Sequence, residues 1–198
     1  MRLGIFGGSF DPVHNGHVEL TRAFYKTLSL DKVIVIPAYI SPFKLKGGNA
    51  SPEQRLEMCR LAFEGFSDTE ISDIELLREG ASYTYLTLRY LSEVYGGDEL
   101  FLITGADSFL TIQNWKRPEE IFSRAVICSA PRNSDDSAVL EAHAEYLHSL
   151  GARTELCNIR VMTVSSTEIR KRVKTGKSIK GLVPEKVEEY IYKSAVYL

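Results

Sequence analysis

Residues 7–17 read Gly7-Gly8-Ser9-Phe10-Asp11-Pro12-Val13-His14-Asn15-Gly16-His17. They follow an apolar run at 2–6, which predicts a strand. They precede apolar residues at spacings of three and four, which predict a helix that Asn15 caps. A glycine-rich turn between strand and helix lets backbone N–H groups approach a phosphate, and the helix adds its positive N-terminal end. We therefore expect an anion-binding site at the carboxyl edge of a parallel sheet.

The rest of the chain alternates short apolar runs with longer stretches of helical period. This pattern predicts an α/β fold, a Rossmann-like doubly wound parallel sheet with helices on both faces and a small C-terminal helical portion. A length of 198 residues favours one domain spanning 1–198. Further strands are predicted at 32–36, 100–104, 125–128 and 160–163, and helices from Ser51 onward and at 85–95, 138–150 and 185–194. Residues 38–50 have no periodicity and predict a mobile loop.

Composition excludes several classes of protein. Hydrophobic residues make up 44% and charged residues 25%, as in globular chains. A net charge of −2 argues against a nucleic-acid partner. The three cysteines are far apart and odd in number, which favours reduced thiols over a disulfide framework. No apolar run approaches the ~18 residues of a membrane span, so we expect a soluble, cytoplasmic protein without a membrane partner. The sequence leaves open whether the protein forms a homo-oligomer.

Two histidines three residues apart, His14 and His17, are predicted to face one pocket, where each donates a hydrogen bond to a phosphate oxygen. Two other interpretations stay open. One histidine caps the helix, or the pair binds zinc with Asp11 as a third ligand. Zinc is the less favoured of the two, because the four-residue helical spacing and a flanking glutamate are missing. We predict no protein-bound metal site.

A second chemistry-bearing segment, Ser165-Ser166-Thr167-Glu168-Ile169-Arg170, follows a predicted strand. Ser165 and Glu168 fit a capping box, and capping alone explains them. The next residues, 170–180, contain six basic side chains and no acidic one, in a chain whose net charge is slightly negative. This asymmetry indicates a polyanion site. Among the six we expect a functional role only for Arg170, which lies one turn inside the helix.

Together the two segments resemble the paired motifs of the nucleotidyltransferase superfamily. The middle of the chain narrows the resemblance to the bacterial nicotinate-nucleotide adenylyltransferases. The residues that carry this second resemblance are Gly80-Ala81-Ser82-Tyr83-Thr84-Tyr85-Leu86-Thr87-Leu88, Gly105-Ala106-Asp107, Trp115, and Pro42 and Lys44 in the loop. The resemblance covers essentially the whole chain. Many members of that family carry His at the position of Phe43 and Asp at the position of Leu86.

The resemblance implies a reaction of ATP with nicotinate mononucleotide to give deamido-NAD and pyrophosphate, with Mg²⁺ on the triphosphate. A phosphate nucleophile is already ionised at pH 7, so positioning and charge neutralisation supply the rate. The resemblance assigns catalytic roles to His17, His14, Lys44 and Arg170. It assigns ATP contacts to Gly7, Gly8, Ser9, Phe10, Gly16, Gly105, Asp107, Ser165, Ser166 and Thr167. It assigns the pyridine nucleotide to Tyr83, Thr84 and Trp115.

Four alternative functions remain, one of which is a zinc-binding protein built on His14 and His17. Pantetheine-phosphate adenylyltransferases and cytidylyltransferases share the paired motifs but lack the features at 82–84 and Trp115. A regulatory nucleotide-binding domain without catalysis is disfavoured, because His14, His17, Lys44 and Arg170 are all retained.

Overall fold

The computed structural model describes residues 1–42, 50–131, 136–159, 162 and 164–198. Within these residues the strands are β1 Arg2–Gly8, β2 Lys32–Pro37, β3 Thr69–Ile71, β4 Glu99–Ile103, β5 Ala125–Ser129 and β6 Arg153–Leu156. They form a sheet of order β3-β2-β1-β4-β5-β6, in which every neighbouring pair is parallel. The order reverses between β1 and β4, which is where an open α/β sheet leaves a crevice for ligands. The predicted fold class is confirmed.

Helices cover both faces of the sheet. They are α1 Asn15–Thr27, α2 Pro52–Ala62, α3 Ile74–Arg78, α4 Thr84–Val94, α5 Ala106–Phe109, α6 Pro118–Arg124, α7 Asp136–Ser149, α8 Ser166–Lys174 and α9 Glu185–Lys193. Alternate residues of β2 enter opposite cores: Val33 and Val35 pack with α1, α2, α8 and α9, whereas Ile34 and Ile36 pack with α4 to α7. This two-residue period is the reason a central parallel strand has an apolar run rather than an alternating one.

The C-terminal helical portion is part of the first of these cores. Val187 and Ile191 of α9 are fully buried there, and α9 packs against α2.

The start of α2 agrees with the sequence analysis. Ser51 and Gln54 form the predicted reciprocal capping box, with Pro52 in the first turn.

Two parts of the sheet differ from the sequence analysis. The sixth strand is Arg153–Leu156, which alternates exposed and half-buried residues and therefore has no apolar run. The strand predicted at 160–163 falls mostly outside the described residues, which leave out 160, 161 and 163. The short edge strand β3 and the short helices α3, α5 and α6 have too few residues for a visible period.

The cysteines are buried and form no disulfide. Among the described helices, none combines the length and the apolar composition that crossing a bilayer requires.

Candidate active site

A cavity of about 790 Å³ opens beyond the carboxyl ends of β1, β4 and β5. The described residues that line it are Phe6, Gly7, Gly8, His14, Gly16, His17, Leu20, Thr104, Gly105, Ala106, Asp107, Ser108, Ala130, Pro131, Met162, Val164, Ser165, Glu168, Arg172 and Leu182. The early glycine-rich turn and the start of α8 therefore share one cavity, although they are far apart in sequence. Its volume is in the range of small-molecule and cofactor sites.

His14 and His17 form a reciprocal cap at the start of α1. The backbone N–H of His17 donates to Nδ1 of His14 at 3.3 Å, and the backbone N–H of His14 donates to Nδ1 of His17 at 3.2 Å. The two rings stack with centroids 3.6 Å apart. Because each Nδ1 accepts a hydrogen bond, each neutral ring carries its proton on Nε2. The capping bonds therefore use Nδ1 of both rings, and the ring N–H lies on Nε2.

The cap corrects one part of the sequence analysis. His14, not Asn15, is the N-cap residue of α1. The side chain of Asn15 donates instead to the backbone carbonyl of Gly181 at 2.8 Å, and its backbone N–H donates to Leu182. The interpretation that one histidine caps the helix is thus correct. Capping is compatible with phosphate binding, because the capping bonds are made by Nδ1 and not by Nε2.

Burial lowers the pKa of His14 to about 4, from an ordinary value of 6.5. Between these two pH values the unfolded chain binds a proton that the folded chain does not, so stability falls as the pH falls. We expect His14 to account for a loss of about 2 kcal/mol in unfolding free energy between pH 7 and pH 5. Urea unfolding of wild type and His14→Asn at both pH values measures the part of the loss in unfolding free energy that His14 causes, because asparagine is a good N-cap residue without a titrating group. An equal pH dependence in the two proteins would contradict it.

Asp11 anchors the turn that precedes the histidines. Its carboxylate is buried, and Oδ1 accepts hydrogen bonds from the Tyr197 hydroxyl at 2.7 Å and the Ala50 backbone at 3.2 Å. Arg170 donates to the backbone carbonyl of Asp11 at 2.6 Å, with Nη1 4.0 Å from Oδ2. Ser166 donates to the carbonyl of Pro12 at 2.9 Å. The late segment 165–170 therefore holds the early turn in place.

Glycine occupies two positions of the cavity wall for different physical reasons. A Cβ on Gly16 would lie 2.7 Å from the backbone carbonyl oxygen of Met162, so only glycine fits there. The backbone N–H of Met162 also donates to Glu19 of α1 at 2.8 Å. A Cβ on Gly7 would meet no protein atom within 4 Å and would extend into open space. Protein packing therefore does not require glycine at position 7. The absence of a side chain there instead allows a ligand to approach the backbone closely.

A second pocket, of about 310 Å³, is lined by Pro42, Tyr83, Thr84, Asn114, Trp115, Lys116 and Ile121. It contains all three residues predicted to hold the pyridine nucleotide. Tyr83 is the N-cap residue of α4 and Thr84 its first residue, as predicted. The ammonium group of Lys116 lies 4.4 Å from the centroid of the Tyr83 ring. Among the described residues of this pocket Lys116 is the only charged one, which gives the pocket a positive character.

The structure does not bring every predicted site residue to a pocket wall. Ser9, Phe10, Ser166, Thr167 and Arg170 are absent from the described lining of both pockets. Phe10 instead packs edge-on against the His17 ring, with centroids 5.0 Å apart. Thr167 accepts a hydrogen bond from Arg170 at 3.2 Å. Lys44 lies outside the described residues, as does Phe43.

Zinc binding by His14 and His17 receives no support from this geometry. Both Nδ1 atoms accept backbone hydrogen bonds, and Asp11 is bound to Tyr197 and Ala50. Within the described part of the chain, no group of three or more His, Cys, Asp and Glu side chains is placed to hold a metal ion.

Comparison with known proteins agrees with the resemblance seen in the sequence. The family model described as cytidylyltransferase-like matches residues 5–172. A Hydrogenobaculum protein named "Probable nicotinate-nucleotide adenylyltransferase" is 40% identical, covering 100% of this chain and 98% of that protein. A Dictyoglomus thermophilum protein of the same name is 39% identical, with 100% of both chains covered. The chain belongs to the nicotinate-nucleotide adenylyltransferases.

Solved structures show that this adenylyltransferase shares its fold with a distant relative. The Plasmodium falciparum nicotinic acid mononucleotide adenylyltransferase complexed with APC is 19% identical and has a TM-score of 0.79, covering 99% of this chain and 96% of that chain. The same enzyme complexed with NaAD has a TM-score of 0.77, covering 99% and 97%. The parallel sheet and its helices are therefore those of known adenylyltransferases.

The polar pocket residues of this adenylyltransferase that sequence reasoning missed include Lys116, Arg172 and Thr104. Lys116 lies next to the predicted Trp115, and a single lysine carries no sequence signal of its own. Arg172, rather than Arg170, lines the large cavity, where its Nε donates to Glu168 at 3.1 Å. Thr104 directly follows β4, and its hydroxyl donates to the carbonyl of Cys128 at 2.9 Å. Its position at a strand's carboxyl end was the available signal.

Proposed function

We propose that this protein transfers AMP from ATP to nicotinate mononucleotide, giving deamido-NAD and pyrophosphate. The observation that carries the proposal is the pair of pockets at the carboxyl edge of the sheet. One is large and walled by glycines and two imidazole donors, and the other holds Tyr83, Thr84 and Trp115. The full-length relatives at 39–40% identity carry the name of this activity.

In this proposal the large cavity takes ATP. Gly7, Gly8 and Gly105 let the triphosphate approach the backbone, and Ser165 and Asp107 line the same wall. A phosphate oxygen of nicotinate mononucleotide attacks the α-phosphorus of ATP. A new P–O bond forms at the α-phosphorus. The bond between the α-phosphorus and the oxygen that bridges it to the β-phosphate breaks, and its electron pair leaves with pyrophosphate. The attacking phosphate is already charged, so the protein need not remove a proton.

His17 and His14 donate from Nε2 to the phosphate oxygens on which charge grows. Their reciprocal cap fixes both rings before ATP binds, so little reorganisation accompanies the reaction. The lowered pKa of His14 further favours its neutral form at pH 7, in which it is a hydrogen-bond donor rather than a cation. Lys44 and Arg170 stay as proposed phosphate ligands. In the structure Arg170 instead holds the carbonyl of Asp11.

In this proposal a divalent metal ion would accompany ATP. Nucleotide-bound Mg²⁺ takes one or two protein carboxylates together with phosphate oxygens and water. Two carboxylates, Asp107 and Glu168, line the large cavity, and their oxygens suit this ion. These two carboxylates would hold Mg²⁺, which would supply neutralisation of negative charge on the triphosphate.

The pyridine ring is placed against Trp115, and its carboxylate faces the N-terminus of α4. Tyr83 and Thr84 begin that helix, whose positive end favours an acid over a neutral amide. Lys116 adds a second positive group to the same pocket.

A panel of acceptors tests the proposed function. Purified protein with ATP and Mg²⁺ is expected to release pyrophosphate much faster with nicotinate mononucleotide than with nicotinamide mononucleotide or phosphopantetheine. A reaction in which CTP replaces ATP is also expected to be much slower. Equal rates with the acid and the amide would contradict the carboxylate assignment. A preference for phosphopantetheine would favour the alternative function.

Trp115 is half-buried, lines the smaller pocket and also packs against the α4 to α7 core. We expect Trp115→Ala to raise KM for nicotinate mononucleotide, because stacking a base on an aromatic ring contributes about 1–3 kcal/mol, or roughly 5–150-fold. Trp115→Phe retains a flat ring and is expected to recover part of the loss. Steady-state kinetics measure both. An unchanged KM in Trp115→Ala would assign the residue to the core alone.

A further inference from the structure

Glu75 is a buried carboxylate with no part in the proposed transfer of AMP. It is the second residue of the short helix α3, and only 6% of its surface is exposed. Burial raises its pKa, and hydrogen bonds from Thr87 and Ser82 partly oppose this. A buried acid is costly unless it is fully hydrogen-bonded. The residues that satisfy it therefore indicate what it holds together.

The side chains around Glu75 are hydrogen-bonded to the carboxylate, to one another or to the backbone of a neighbouring segment. The Thr87 hydroxyl donates to Oε1 of Glu75 at 2.5 Å and accepts from Nη2 of Arg78 at 3.2 Å. The Ser82 hydroxyl favours the charged form of the same carboxylate and lowers its pKa. It also accepts from the backbone N–H of Tyr39 at 2.9 Å. We call Glu75, Arg78, Ser82 and Thr87 the Glu75 cluster.

The Glu75 cluster joins the two chain segments that lead into the smaller pocket. Ser82 directly precedes Tyr83 and Thr84, while Thr87 lies one turn inside α4. The backbone N–H of Ser82 donates to the carbonyl of Ile40 at 2.9 Å, and Ile40 forms a β-bridge with Ala81. Residues 39–42 and 81–84 are therefore tied side by side, so that Pro42 and the start of α4 line the same pocket.

A second buried charge continues this connection toward the large cavity. Arg55 of α2 is 4% exposed. Its Nη2 donates to the carbonyl of Tyr39 at 2.9 Å, and its Nη1 donates to the carbonyl of Ser9 at 2.8 Å. The segment at Tyr39 is thus held from both sides, by Arg55 toward the glycine-rich turn and by the Glu75 cluster toward α4.

We propose that Glu75 is a positioning residue for the pyridine nucleotide, which fixes the start of α4 and residues 39–42 through Ser82 and Thr87 and thereby sets affinity for the nicotinate carboxylate. This inference rests on the proposed function. Hydrogen-bond donors discriminate an acid from an amide only when they are held in place. A misplacement of about 1 Å is enough to cost up to 10²-fold. Glu75 touches no substrate, and its effect passes through the backbone of the pocket wall.

The test is Glu75→Gln, an isosteric change, with Glu93→Gln on the exposed face of α4 as matched control. We expect Glu75→Gln to raise KM for nicotinate mononucleotide by roughly 10–100-fold and to reduce the acid-over-amide preference. KM for ATP and kcat are expected to stay within about twofold. The control is expected to match wild type in every parameter. A merely structural role would change both KM values together.

Binding provides a readout separate from turnover. Trp115 is the protein's single tryptophan and lines the smaller pocket, so quenching of its fluorescence by nicotinate mononucleotide reports occupancy there. Quenching is expected to need a higher nucleotide concentration in Glu75→Gln by the same factor as KM. Ser82→Ala removes the link to Tyr39 and is expected to reproduce the split between the two KM values.

The possible outcomes separate the inference from the proposed function. An active wild type with unchanged KM in Glu75→Gln, or with both KM values raised equally, overturns the inference alone. Failure of both Glu75→Gln and Ser82→Ala to fold also overturns it, in favour of a structural role. A wild type that releases no pyrophosphate with nicotinate mononucleotide overturns the proposed function. Fluorescence quenching by that nucleotide in wild type and variant then decides the inference.

Discussion

Replacing His17 by alanine is expected to lower kcat by about 10²–10³ while the protein stays folded, because one fixed donor to the transition-state charge is lost. The ring of His17 lines the large cavity, and its neutral form carries the proton on Nε2, since Nδ1 accepts from His14. Pyrophosphate release at saturating ATP and nicotinate mononucleotide measures the effect.

The same histidine also completes the helix cap, so a second variant separates the two roles. Glutamine at this position, the third of α1, suits a capping box but lacks the imidazole N–H. His17→Gln is therefore expected to retain thermal stability and to remain strongly impaired in kcat. His148→Ala, an exposed histidine of α7, serves as control and is expected to behave like wild type. Full activity in a folded His17→Ala protein would refute the role given to His17.

Replacing Asp11 by alanine is expected to reduce the free energy of unfolding by about 3–5 kcal/mol. The change leaves the buried Tyr197 hydroxyl and the Ala50 N–H without their acceptor, and it removes the carboxylate near Arg170. Breaking a buried charged network by deleting one partner costs more than deleting a neutral hydrogen bond. Urea denaturation at pH 7 measures the loss.

Tyr197→Phe provides the calibration for this effect. It removes a single donor to Asp11 and leaves the ring in the core, so we expect a loss of about 1 kcal/mol. If both variants lost equally little stability, the network around Asp11 would not hold the turn. Because the turn leads directly to His14, Asp11→Ala is also expected to lower kcat, and activity assays on the folded fraction check this.

The fold was predictable because its signals are local. The strand, glycine-rich turn and helix at 2–27 lie within one short segment, and the buried runs at 32–36, 100–104 and 125–128 need no partner to be recognised. The sixth strand, Arg153–Leu156, was missed because an edge strand faces solvent and carries polar residues. Its assignment depends on pairing with β5, which no local pattern records.

Part of the lining of the two pockets was predictable from the sequence, but the hydrogen bonds that hold the pocket walls in place were not. Sequence motifs brought His14, His17 and Ser165 to one cavity, and Tyr83, Thr84 and Trp115 to another. The contact of Arg170 with Asp11 spans 159 positions, and that of Tyr197 with Asp11 spans 186. A basic motif residue and a tyrosine near the C-terminus have many candidate partners, and only tertiary packing selects among them.

The lack of space at Gly16 couples two distant parts of the chain mechanically. A Cβ at position 16 would lie too close to the carbonyl oxygen of Met162, and the N–H of Met162 donates to Glu19. An insertion or deletion beside residue 162 would therefore displace the start of α1, and with it the imidazoles. Surface loops usually tolerate changes of length. The length of the chain between β6 and α8 is expected to be less tolerant of change. Laboratory evolution that recruits the scaffold for new acceptors should therefore vary the described residues near Pro42 and Lys116 and keep that length constant.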